Sequence, residues 1–121
     1  MGKQKIVVSA TLDFASEADR DRAVELTTPV QAATRNEESG CHAYCFAPDP
    51  VVKHRIQVYE LWEDGASLAA HFRHPNYEKM KEVLMQVGIT ATENQMYLIE
   101  MHEPVYDAEG QARETFFGGR A

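Results

Sequence analysis

The sequence predicts an α+β domain with the element order β-α-β-β-α-β. Runs rich in β-branched or aromatic residues at 5–12, 41–47, 54–62 and 95–102 read as strands. Apolar residues at helical spacing separate the first strand from the second and the third from the fourth. Turn and capping residues stand at the junctions. This order is the ferredoxin-like split βαβ arrangement, whose helices cover one face of a four-stranded antiparallel sheet.

The first strand, Lys5 to Leu12, ends at a charge, Asp13. Ser16 then stands as an N-cap ahead of the acids Glu17 and Asp19, and Ala23, Leu26, Val30 and Ala33 follow at helical spacing. Residues 17 to about 35 are therefore expected to be helical, with Pro29 kinking or dividing the helix. Ser39-Gly40 closes it, Cys41 to Ala47 forms the second strand, and Pro48-Asp49-Pro50 turns the chain. Strand three runs to Trp62. Asp64-Gly65 precedes a short helix, Ala66 to Phe72, closed by Pro75, and Asn76 is the expected cap of the next, carrying Tyr77, Met80, Val83, Leu84 and Val87. Gly88 ends that helix, Gln95 to His102 forms the last strand, and Pro104 stops it. Pattern alone assigns no structure to residues 105–121, so the expected organisation is one domain over 1–104 followed by a tail.

A length of 121 residues suits one domain, and 44% apolar residues is ordinary for a globular protein. Twelve Lys+Arg against 19 Asp+Glu give a formal charge of -7, which argues against nucleic acid as a partner. No segment approaches the ~20 apolar residues of a membrane span. The start, Met1-Gly2-Lys3, has neither a signal-peptide cleavage site nor the Ser or Thr of a myristoylation site, so a cytoplasmic location is expected. Cys41 and Cys45 are expected to share a strand face about 13 Å apart, too far to bridge, and to remain reduced.

The first and third strands carry apolar residues on both faces: Ile6, Val8, Ala10 and Leu12 against Val7, and Ile56, Val58 and Trp62 against Tyr59 and Leu61. An apolar sheet face left open on so small a domain predicts a homodimer through the sheets.

Three stretches, Glu38-Ser39-Gly40-Cys41 with Tyr44, Tyr59-Glu60-Leu61-Trp62-Glu63, and Leu68-Ala69-Ala70-His71, together resemble the antibiotic biosynthesis monooxygenase family over roughly residues 5–102. The resemblance implies a dimeric α+β barrel, two ferredoxin-like units packed sheet to sheet, with a pocket in each subunit between sheet and helices. Founding members of that family oxidise polycyclic phenols to quinones with oxygen, using no metal, flavin or nicotinamide. Haem-degrading members are recognised by an Asn on the first strand, a Trp where His71 stands here, and a His ten residues later; Lys81 occupies that last position, and all three marks are missing.

Oxygenation without a cofactor needs a base, a donor for a developing oxyanion and a dry aromatic pocket. His71 is the candidate base or donor. Glu60 shares a strand face with Trp62 and is expected either to pair with Arg35, Arg55 or Arg73 or to hold a raised pKa fit for acid–base work. Trp62, Tyr77, Tyr44 and His74 are the candidate substrate contacts, each with an alternative as a packing residue. His71 and His74 alone make a poor metal site, and the usual zinc, P-loop and Rossmann motifs are missing. The expectation is a cofactor-free, metal-free monooxygenase acting on a small aromatic ligand. The alternatives are a non-catalytic dimeric binding or accessory protein and a lyase or isomerase on the same barrel. The tail, with Phe116-Phe117, is expected to dock on the partner subunit or to cover a pocket.

Overall fold

The computed structural model describes residues 3–121; Met1 and Gly2, with the leader readings that begin at them, lie outside the described residues. Four strands, β1 (Ile6–Phe14), β2 (Cys41–Pro48), β3 (Arg55–Trp62) and β4 (Ile89–Leu98), form one antiparallel sheet in the order β2-β3-β1-β4. Helices α1 (Glu17–Glu37), α2 (Gly65–Phe72) and α3 (Pro75–Val87) connect them. This is the α+β ferredoxin-like order the sequence predicts, and within one chain the sheet is open.

Register decides which residues reach the helices. Val8, Glu60 and Tyr44 stand opposite one another across β1, β3 and β2, as do Ala10, Val58 and Phe46. This face, with Leu12, Ile56 and Trp62, packs against Ala23 and Val30 of α1, Leu68 of α2 and Met80 and Leu84 of α3 to form the core. The reverse face presents Val7, Tyr59, Leu61 and Cys45.

Several boundaries differ from the sequence reading. Helix α1 is one uninterrupted element across Pro29. Pro29 and Glu25, whose carbonyl loses its helical donor, both lie on the exposed side, where water can satisfy that oxygen. The cap of α3 is His74 rather than Asn76: its Nδ1 accepts from the backbone N of Asn76 at 3.0 Å, and Pro75 opens the helix, where a missing N–H costs no bond. Strand β4 begins at Ile89 and ends at Leu98, because Ile89 already pairs with Phe14 at the end of β1, with Thr90 bulged between that pair and the pair of Asp13 with Ala91. A bulge between Cys41 and Ala43 places Cys41 opposite Trp62 on the helix side, while Cys45 stays opposite Tyr59 on the reverse face. The two cysteines therefore do not share a face; both are free thiols.

The two sheet edges are treated differently. At β2, the Gln31 amide from α1 accepts from Phe46 N at 2.9 Å and donates to Phe46 O at 3.2 Å, while Arg35 donates to Tyr44 O at 2.6 Å. That edge is closed by side chains. Strand β4 is exposed along its length after Ile89. Beyond it, residues 100–121 form a turn around Gly110 and a short 3-10 segment, Phe117–Gly119, held by hydrogen bonds among themselves. Val105, Tyr106 and Phe116 remain exposed there. Among the described residues, no helix is long and apolar enough to cross a membrane.

Candidate functional site

A cavity of about 410 Å³ opens between α3 and the helix-side face of β1 and β4. Val8, Ala10, Leu12, Phe46 and Val58 floor it, and Met80 and Leu84 of α3 roof it. Its buried lining includes Glu60, His71 and Tyr44, with Tyr77 half-buried, and its exposed lining Thr92, Asn94 and Gln95 of β4 with Lys81. The helices pack chiefly over β2 and β3 and leave β4 uncovered, so the space remains over β1 and β4.

Glu60 owes its place to the period of β3. Alternation puts it beside Trp62 on the buried face, and the indole Nε1 donates to Glu60 Oε1 at 2.9 Å. None of the three arginines considered as partners pairs with Glu60: Arg55 holds Asp13, and Arg35 bonds a backbone carbonyl. Burial raises the Glu60 carboxyl from 4.5 to about 7, against the indole hydrogen bond that lowers it; nearby Glu38 raises it further. This carboxyl therefore exchanges a proton near neutrality.

His71 is 2% exposed. Helix α2, capped by the Asp64 side chain accepting from Ser67 N at 2.8 Å, carries its imidazole over Trp62 with ring centroids 4.5 Å apart. Tyr44 and Tyr77 meet the same ring edge-on at 5.4 and 5.5 Å. Close approach of α2 to the sheet depends on Gly40, since a Cβ there would overlap Ser67. His71 Nδ1 lies 2.9 Å from Glu38 Oε1. Among the described residues no group bonds the other ring nitrogen, Nε2, and no fully buried polar side-chain atom lacks a partner, so Nε2 keeps access to the cavity that His71 lines. Burial lowers the imidazole pKa, opposed by the hydrogen bond and charge of Glu38, so the ring is neutral around pH 7.

Burial, reinforced by the charges of Glu60 and Glu38, pushes the Tyr44 phenol far above its ordinary range, which keeps it protonated and able to donate. Tyr77 lines the same cavity. Trp62 stands one layer behind, supporting Glu60 and His71 without reaching the cavity wall. His74 also lies outside the lining, its Nδ1 occupied by the α3 cap. Sequence reasoning passed over Glu38 as a site residue, although it belongs to the stretch that carries the family resemblance; its partner His71 is 33 residues away. Among the described residues, no three His, Cys, Asp or Glu side chains converge as metal ligands.

The fold and cavity define a class: a ferredoxin-like domain with an apolar cavity whose lining includes Glu60, His71, Tyr44 and Tyr77. Residues 5–83 match the antibiotic biosynthesis monooxygenase family, and the chain belongs to it. Solved structures agree in fold. A candidate antibiotic biosynthesis monooxygenase from Deinococcus radiodurans superposes with a TM-score of 0.73 at 19% identity, covering 84% of this chain and 99% of that one. One from Caulobacter crescentus CB15 gives a TM-score of 0.70 at 17% identity, over 84% and 92%. A Bacteroides thetaiotaomicron protein of unknown function, described as an oxidoreductase candidate, gives 0.70 at 17%, over 81% and 100%. No curated protein matches this sequence.

Proposed function

We propose that the protein is a cofactor-independent monooxygenase that oxidises a small phenolic or polycyclic aromatic compound with O2. The observation that carries this reading is that one apolar cavity is lined both by the buried imidazole of His71 and by the buried carboxyl of Glu60, whose pKa burial raises to about 7. His71 Nε2 removes the proton that makes the substrate an electron-rich anion, and Glu60, protonated, donates to the oxyanion. The anion passes one electron to O2, and the resulting radical pair combines to a peroxide. Loss of water then leaves a carbonyl where two hydrogens stood: R2CH2 + O2 gives R2CO + H2O. Tyr44 and Tyr77 orient the ring, and Trp62 braces the pair.

The working unit is proposed to be a homodimer through the reverse sheet face, closing the two open sheets into an α+β barrel. Tyr59, 48% exposed, beside Leu61 and Val7, supports this, because such a patch is costly to leave in water. The tail over 105–121, with Tyr106 61% exposed, is assigned to the partner's surface. Two free thiols suit a reducing compartment, which supports the cytoplasm.

Oxygen uptake over a panel of hydroquinones, naphthols and anthrones tests the reading, with His71→Gln alongside. Uptake well above the spontaneous rate and lost in the variant is expected. Tight binding of panel compounds without uptake would instead assign a binding protein, and turnover of a ligand without oxygen a lyase or isomerase.

A further inference from the structure

We infer that Glu38 is a positioning residue that locks His71 in the tautomer presenting a bare Nε2 to the cavity; this rests on the reading of His71 as the base. Glu38 caps the C-terminal end of α1, and its side chain is 7% exposed. Its Oε1 lies 2.9 Å from His71 Nδ1, and its Oε2 accepts from Asn76 Nδ2 at 3.1 Å. His74 Nδ1 is 3.8 Å from Oε2, but that nitrogen already accepts from Asn76 N and so carries no proton to give. Among the described residues, no Lys or Arg pairs with Glu38. A buried carboxylate can only accept, so the proton of the 2.9 Å contact belongs to Nδ1, and in a neutral ring Nε2 is then unprotonated.

The placement also favours turnover. As Nε2 takes a proton the ring becomes cationic, and the carboxylate already in contact stabilises that charge with no group having to move. A buried, unpaired carboxylate is costly to a small domain. This one ties α1, α2 and the start of α3 around a single imidazole. The other titratable groups around that imidazole are Tyr44 on β2, Tyr77 on α3 and His74 before α3, with Glu60 of β3 lining the same cavity.

The direct test is the imidazole 15N spectrum of the full chain above the titration of His71. Protonated Nδ1 with unprotonated Nε2 is expected; protonated Nε2 in the wild type overturns the inference without recourse to any variant. Glu38→Gln removes the charge, so the His71 titration read by the same spectrum should move to lower pH. A titration unmoved in a folded Glu38→Gln protein would also overturn it. With a substrate in hand, Glu38→Gln should lower kcat about ten- to a hundredfold with KM little changed, and move the acid limb of the rate profile downward in pH. Because the spectra need no turnover, failure to find oxygen uptake counts against the oxygenase alone, and the tautomer decides the role of Glu38.

Discussion

Replacing Glu60 by Gln should remove a specific loss of stability with rising pH. In the folded protein burial holds the carboxyl's pKa at about 7, against 4.5 for an ordinary glutamate. Between those values the folded chain keeps a proton that the unfolded chain has released, so stability falls as pH rises through that window. Below 4.5 both states are protonated and the effect vanishes; above about 7 the loss is complete. Each pH unit of separation is worth about 1.4 kcal/mol, so the whole interval corresponds to about 3 kcal/mol. The glutamine side chain keeps an oxygen for the Trp62 indole and does not titrate. His71 has a lowered pKa and changes stability in the opposite sense, but it is common to both proteins and cancels in their difference. Urea unfolding of wild type and Glu60→Gln from about pH 4.5 to 8.5, at one protein concentration, measures the effect. The variant should gain on the wild type by about 3 kcal/mol across that range, whatever constant offset the substitution adds. A difference independent of pH would refute the claim that this carboxyl is buried without a cation.

Other consequences are open to simple measurement. Trp62 is the single tryptophan, so its fluorescence should change with a midpoint near pH 7 through its contact with Glu60, a step that Glu60→Gln abolishes. Gly40→Ala forces a methyl onto Ser67 and should cost about 1–3 kcal/mol in denaturant unfolding. Tyr59→Glu puts a charge into the proposed interface and should convert dimer to monomer in sedimentation while leaving the helical circular dichroism unchanged. His71→Gln should reduce oxygen uptake about 10²- to 10⁴-fold, the usual worth of a general base.

The parts legible in the sequence were those set by local pattern. Strand alternation put Glu60 and Trp62 on one face, helical spacing gave α1 and α3, and the element order gave the sheet. What stayed hidden depended on partners distant in sequence or on exposure. Pro29 reads as a break because sequence does not reveal that Glu25 and Pro29 both face water. The bulge after Cys41 inverts the expected facing of one cysteine, and no residue type there announces it. Ile89 to Asn94 reads weakly as strand, since Thr92 and Asn94 line an exposed part of the cavity and Thr90 and Glu93 face outward instead of filling a core. Glu38 was visible as a motif residue but silent in role, because its meaning comes from His71 across the packing of α1 on α2.

The central claim is that this cavity brings O2 to a deprotonated aromatic substrate without a bound cofactor. Turnover by metal-stripped protein under 18O2, followed by mass spectrometry of product and water, tests it most directly. The account predicts one labelled oxygen in the product carbonyl and one in water, at a rate that collapses in His71→Gln. Product oxygen drawn from solvent, or labelling that persists undiminished in that variant, would contradict it.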